Sequence, residues 1–223
     1  TCHYVMGGIP TTVQGEVLRN NDEVVPGLYA AGECACVSVH GSNRLGTNSL
    51  RDINVFGKRA GIAAAKFAAE NEFVELPENP EQMVREWMDQ MLEPHGVENA
   101  ANVRAEMQAM MDDKASVFRT EQSLTEAREE LRELKKRYAD VTVSDQGRRF
   151  NTELLEAVEL GFLLELAEVT VTCALNRRES RGGHSREDYP DRDDATYMKH
   201  TMAYKEDSLN LLSDIRLDWK PVV

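Results

Sequence analysis

The sequence predicts an α/β segment followed by an antiparallel helical bundle and a small β-containing C-terminal tail. Three observations carry that prediction. Residues 1–76 are rich in Gly, Ala and Val and hold most of the turn signals. Residues 77–178 repeat apolar side chains at helical spacing. Residues 179–223 pack charges around glycines and a proline and end on two strand-like pieces.

In the first zone, Val24-Val25-Pro26-Gly27-Leu28-Tyr29-Ala30-Ala31-Gly32 reads as a turn feeding a short buried strand that stops at glycine. Thr47 or Asn48 is placed to cap a helix running to about Glu70, with Leu50, Ile53, Gly57, Ala60, Gly61, Ala64 and Ala68 on its inward face. Strand, glycine, loop and helix in that order are α/β grammar. Pro77 and Pro80 mark the next boundary. Beyond them come Val84, Trp87 and Met91, then Val103, Met107 and Met110 or Met111. Leu124, Ala127, Leu131, Leu134 and Tyr138 follow in steps of three and four, the spacing of a coiled-coil seam. Residues 152–176 are apolar nearly all round and should form the most buried helix. Arg177 to Asp194, around Gly182-Gly183 and Pro190, reads as an ordered loop, and strand-like pieces lie near residues 201–205 and 215–219. The domain boundaries that follow are 1–76, 77–178 and 179–223.

A formal net charge of −13 excludes a non-specific nucleic-acid binder, which needs a basic surface to displace counterions. A small dianion is not excluded, because clustered arginines can overcome the global field locally. Cys2, Cys34, Cys36 and Cys173 fit no zinc framework and are too sparse for a disulfide scaffold, so reduced, buried thiols are expected. No signal peptide is visible, and the apolar stretch from Leu154 to Leu175 carries Glu156, Glu159, Glu165 and Glu168, which marks a helix in water rather than a membrane span. The opening at Thr1, inside the pattern Tyr4-Val5-Met6-Gly7-Gly8, reads as cut or processed from a longer chain.

The residues that offer chemistry lie between Gly32 and Leu50. Glu33 follows a strand end and can accept from sugar or polyol hydroxyls. Arg44 presents a planar fork suited to a carboxylate. Ser49 and Leu50 fall in the first turn of a helix, where free N–H groups and the dipole favour negative charge. A tight turn with a surface arginine and an ordinary N-cap is the alternative reading of the same residues. There is no G-x-G-x-x-G, P-loop, H-E-x-x-H or G-x-S-x-G pattern.

Four stretches shift that balance. His3-Tyr4-Val5-Met6-Gly7-Gly8-Ile9-Pro10-Thr11, Pro26-Gly27-Leu28-Tyr29-Ala30-Ala31-Gly32-Glu33, the run from Cys36 through His40-Gly41-Ser42-Asn43-Arg44-Leu45-Gly46-Thr47-Asn48-Ser49-Leu50, and the loop from Ser180 to Asp194 stand in this order along the chain. Together they resemble the succinate dehydrogenase and fumarate reductase flavoproteins. The resemblance implies the C-terminal remainder of an FAD-binding Rossmann-like domain, then a helical domain and a C-terminal domain. It implies His3 and Arg44 as substrate-carboxylate ligands, and Glu33, Asn48, Ser49 and Leu50 at the FAD. It implies succinate or fumarate as ligand, an iron–sulfur subunit as direct partner and membrane-anchor subunits as indirect ones, with no nucleic acid and no metal. The expected location is the cytoplasmic face of the plasma membrane, or the cytoplasm for the fragment alone. The family's acid/base arginine, its flavin-linking histidine and its phosphate-binding glycines would lie upstream of Thr1, so no catalytic residue is assigned here and the isolated chain is expected to be inactive.

His40 is expected to hold the loop through a structural hydrogen bond, with holding the substrate as the alternative, and His184 with its arginine neighbours to form an ion-pair network locking the C-terminal loop, with a proton path as the alternative. His95 and His200 show no pattern. Two departures from the resemblance stand out: Thr47 where glycine is common, and Arg51 where an apolar residue is usual. The short segment between the first two stretches suggests a tight hairpin. Rival readings are a fumarate reductase running in reverse, an L-aspartate oxidase and a non-catalytic acidic helical interaction module. Cys36-Val37-Ser38-Val39-His40 and Ile53-Asn54-Val55-Phe56-Gly57 favour the succinate group over the oxidase.

Overall fold

The computed structural model describes residues 4–93, 96–207 and 210–222. They form two compact units: one runs to Glu75 and includes Arg181–Gly183, and the other comprises Leu76–Ser180 and continues from His184. His3, His95 and Cys2 lie outside the described residues.

In the first unit, β1 (Ile9–Pro10) pairs in parallel with β4 (Ala35–Cys36). Between them, β2 (Glu16–Arg19) and β3 (Glu23–Tyr29) make an antiparallel hairpin turned at Asn20, which takes φ 58°. The tight hairpin is as the sequence suggested. The buried strand is not: β3 pairs only with β2 among the described strands, and most of its residues are exposed or half-exposed. Helix α1 (Asn48–Glu70) lies on this hairpin. Gly15 makes that approach possible, since a Cβ there would sit 2.5 Å from the Ala60 Cβ. Arg59 Nε donates to Val13 O at 2.7 Å and Tyr29 Oη to Ala63 O at 3.4 Å.

The covered face of α1 beyond its first turn is Asp52, Phe56, Gly57, Ala60, Ala63, Ala64 and Phe67. This corrects the expected face. Gly57, Ala60 and Ala64 belong to it, but Gly61 and Ala68 are exposed, and Leu50 and Ile53 are 62% and 44% exposed. The contact follows the four-residue row through Asp52, Phe56 and Ala60, and Leu50 and Ile53 lie off it.

The second unit is built on α2 (Gln82–Leu92), α3 (Ala100–Lys114), α4 (Glu121–Tyr138) and α5 (Thr152–Asn176). Local chemistry starts the last three. Asn99 Oδ1 accepts from Ala101 N, Asn151 Oδ1 accepts from Leu154 N, and Thr120 and Ser123 form a reciprocal capping box at 3.1 Å each way. The expected seam on α4 is buried throughout: Leu124, Ala127, Leu131, Leu134 and Tyr138 all face the core. They meet Val103, Met107 and Met110 of α3, and Leu154, Ala157, Leu160, Leu164 and Val171 of α5. α5 contributes the largest buried set, yet Leu155, Phe162 and Leu166 on its other side are exposed. Within the core, Lys135 of α4 forms an ion pair with Glu168 of α5, their side chains only 2% and 7% exposed.

The chain ends on a short helix α6 (Asp194–Tyr197) and an antiparallel pair, β5 (Lys199–Lys205) with β6 (Ile215–Pro221), in continuous register from Lys199↔Pro221 to Lys205↔Ile215. Both strand-like pieces are therefore present, each longer than its sequence pattern. Cys34, Cys36 and Cys173 are free thiols, but Cys34 is exposed and the other two are half-buried rather than buried. Burial pushes the Cys173 thiol up to about 11. Among the described residues no helix is long and apolar enough to cross a membrane, and no His, Cys, Asp and Glu group has metal-binding geometry.

Candidate functional site

Of the sequence-predicted residues, Glu33 lies just before β4, Arg44 on the loop between β4 and α1, and Asn48, Ser49 and Leu50 at the start of α1, while His3 lies outside the described residues. Glu33 precedes β4, and its Oε1 accepts from Val5 N at 3.1 Å, tying the approach to β1 against the approach to β4. After β4 the chain runs through an irregular loop to α1. Ser38, Gly41 and Thr47 all take positive φ there. The loop is held at Ser42, whose carbonyl accepts from Gly183 N at 3.0 Å. Gly182 passes so close that a Cβ would meet Ser42 Oγ at 2.4 Å, and its φ of 58° also suits glycine.

Arg44 sits on this loop, half-buried. Its guanidinium carbon lies 4.6 Å from the centroid of the Tyr4 ring, a cation–π contact. Its NH1 makes a long 3.4 Å bond to Leu45 O, and its Nε is buried with no partner among the described residues. Tyr4 in turn meets His40 edge to face, with ring centroids 6.1 Å apart at 78°. His40 Nε2 lies 2.6 Å from Asp52 Oδ2. The bond expected of His40 is there, and its partner is an aspartate that sequence reasoning passed over. Asp52 lies twelve residues away on the face of α1 thought to point elsewhere, so no local spacing announces it. The stacking of Arg44 on Tyr4 was missed for the same reason.

Asn48, Ser49 and Leu50 form the first turn of α1. Asn48 N bonds Leu45 O and Leu50 N bonds Thr47 O, each at 3.1 Å. Ser49 Oγ is buried without a partner among the described residues. No acidic residue occupies the turn, so the positive end of the helix is not neutralised by its own side chains. Thr47 occupies the N-cap with φ 67° and makes no side-chain cap bond. It does not cap the helix in the way its residue type suggests: the left-handed backbone turns its hydroxyl away from the geometry in which Ser or Thr accepts from the first turn. Glu33, Ser49 Oγ and this helix start are chemically suited to a group carrying hydroxyls and negative charge, as FAD does, and Arg44 Nε to a carboxylate.

The C-terminal loop is an ion-pair network, though His184 is not one of its charges. Arg186 is fully buried. Its Nε and NH2 grip both oxygens of Asp188 at 2.8 Å, and its NH1 reaches Ala174 O at 3.1 Å, closing the C-terminus of α5. That grip holds the Asp188 carboxyl down at about 2. Glu179, also buried, accepts from Arg177 at 2.6 Å and from Asp193 N at 2.9 Å. His184 Nε2 faces Arg177 O at 3.0 Å and so donates, while Nδ1 faces Arg119 NH1 at 3.0 Å and so accepts. That pattern needs the neutral imidazole. Burial lowers its pKa, reinforced by Arg119, Arg186 and Arg177.

Comparison with known proteins matches residues 104–223 to the family described as "Fumarate reductase flavoprotein C-term" and residues 1–50 to "FAD binding domain". The chain belongs to the succinate dehydrogenase and fumarate reductase flavoprotein family. Among curated members of this family, it is 43% identical over 216 residues to the succinate dehydrogenase flavoprotein subunit of Coxiella burnetii, covering 92% of this chain and 36% of that one. It is 41% identical over 229 residues to the fumarate reductase flavoprotein subunit of Mycobacterium tuberculosis, covering 99% of this chain and 37% of that one. The flavoprotein fold is matched by solved structures: a quinol fumarate reductase of E. coli at TM-score 0.88 and 35% identity, and the Sdh1 complex of Mycobacterium smegmatis at 0.88 and 36%. Each match covers all of this chain and 37% and 36% of the other. The chain thus spans little more than a third of the length of the relatives it matches.

Proposed function

We propose that this chain is the C-terminal part of an FAD-dependent flavoprotein subunit that oxidises succinate to fumarate, with Arg44 and His3 holding the dicarboxylate. The observation that carries this reading is a run of buried polar atoms between residues 40 and 49 with no partner among the described residues: His40 Nδ1, Arg44 Nε and Ser49 Oγ. Buried polar groups are nearly always satisfied, so a local concentration of unsatisfied ones suits a polar ligand. Arg44 can present two parallel N–H groups to one carboxylate, and His3 the other end of the substrate. Glu33 would accept from the ribityl hydroxyls of FAD, and Asn48, Ser49 and Leu50 would hold its ring at the positive end of α1. FAD, when bound, supplies the hydride acceptor. This chain binds and orients; the acid or base that moves the proton is not assigned to it.

The 43% and 41% identities to a dehydrogenase and a reductase serve both directions, and succinate oxidation is our proposal between them. The partners that follow are an iron–sulfur subunit and, through it, membrane-anchor subunits, with this flavoprotein peripheral on the cytoplasmic face. By itself the 223-residue chain should hold no FAD, since it carries no glycine turn for the pyrophosphate. The test is succinate-dependent dye reduction by the intact flavoprotein that contains this chain. Stoichiometric flavin, turnover of succinate faster than reduction of fumarate, and no oxidation of L-aspartate are expected. Oxidation of L-aspartate, or a subunit without flavin, would contradict the proposal.

A further inference from the structure

Few contacts among the described residues fix the plane of Arg44. Its loop has three residues at positive φ, its NH1 bond to Leu45 O is long, and no carboxylate among the described residues pairs with it. What the guanidinium does have is the face of Tyr4 at 4.6 Å. Tyr4 also meets the His40 ring edge to face, and His40 Nε2 lies 2.6 Å from Asp52. Asp52 is 6% exposed and is the fifth residue of α1, a helix of 23 residues. The row Asp52–His40–Tyr4–Arg44 therefore runs from helix α1 to the loop between β4 and α1, each step made by a contact with defined geometry.

A buried carboxylate is costly unless it is bonded, so a helix keeps one where its partner matters. The His40 imidazole is the ring of fixed orientation that such a bond produces. Bidentate carboxylate binding is unforgiving of rotation in the guanidinium plane.

We propose that the Asp52–His40 pair is a positioning device that acts through the Tyr4 ring to set the plane of Arg44 for a carboxylate. This rests on the proposed role of Arg44. In this proposal Asp52 and His40 act only through Tyr4 and Arg44.

The test is a double-mutant cycle in the intact flavoprotein. Asp52→Ala is expected to raise the succinate KM, and the Kd of malonate as a non-oxidisable dicarboxylate, by about tenfold, with kcat changed by less than about twofold and flavin content unchanged. Asp52→Asn, which keeps an acceptor for His40, should recover most of the affinity. In an Arg44→Lys background, Asp52→Ala should add less than about a twofold further loss, because both changes remove the same oriented fork. A merely structural aspartate would weaken both backgrounds equally, and that additivity would overturn the proposal. A loss of flavin on Asp52→Ala would do so too. If Arg44→Lys alone leaves succinate and malonate binding unchanged, the functional reading itself has failed, a result separate from additivity between two active-site losses.

Discussion

Lys135→Met isolates the most heavily buried charge pair in the helical unit. The Lys135 and Glu168 side chains are 2% and 7% exposed and bond each other across α4 and α5, between rows of leucine and alanine. Removing the ammonium strands the carboxylate, and losing one partner of a buried pair costs about 3–5 kcal/mol. The pair also borders a cavity of ≈ 310 Å³, roomy enough for water to reach the freed carboxylate, which puts the cost toward the lower end. A loss of about 3 kcal/mol is a large share of the roughly 5–15 kcal/mol that holds a domain together. With a urea slope of about 1–3 kcal/mol/M it moves the midpoint by roughly 1.5 M. Urea unfolding of the 223-residue chain followed by tryptophan fluorescence reads this unit, because Trp87 and Trp219 both lie in it. Lys135→Met combined with Glu168→Leu removes the stranded charge and should return to within about 1 kcal/mol of the parent. A single variant that costs only the ~0–1 kcal/mol of a surface pair would refute the reasoning. So would a double variant no better than the single.

Thr47→Gly should stabilise the first unit by about 1 kcal/mol, since a β-branched residue at φ 67° carries strain that glycine does not; a lowered melting temperature in circular dichroism would contradict that. His184 titrates with a folded pKa below its unfolded value, so its contribution to stability is fully present above about pH 6.5 and is lost as the pH falls through that value. Urea midpoints should therefore fall from pH 7.5 to 5.5, and His184→Gln, which keeps one donor and one acceptor, should flatten the slope. It should not abolish it, because burial lowers the His200 pKa with the same sign. Asp188, held at about 2, matters only in more acidic solution. In the intact flavoprotein, Glu33→Ala should reduce flavin content, read from the visible spectrum after gel filtration, because a hydroxyl loses its acceptor; full flavin retention would remove Glu33 from the cofactor site.

The helical unit was legible because its information is local. The steps of three and four from Leu124 to Tyr138 fix which side of α4 is covered. The first unit was less legible for a physical reason. α1 carries small residues on several sides, so periodicity alone does not choose among faces, and the row through Asp52, Phe56 and Ala60 is selected by the hairpin it meets. Burial of Asp52 and Glu168 depends on His40 and Lys135, twelve and thirty-three residues away, which no local pattern encodes. Arg44, Glu33 and Ser49 were singled out from their types and order, whereas the contact of Tyr4 with Arg44 and the burial of Asp52 against His40 needed the fold.

The central claim is that Arg44 grips a substrate carboxylate, and kcat/KM for succinate in the intact Arg44→Lys flavoprotein tests it most directly. Lysine keeps the charge and loses the fork, so a loss of about 2–4 kcal/mol in transition-state binding is expected, or roughly 30- to 900-fold in kcat/KM, with flavin content unchanged. An unchanged kcat/KM for succinate would contradict the account.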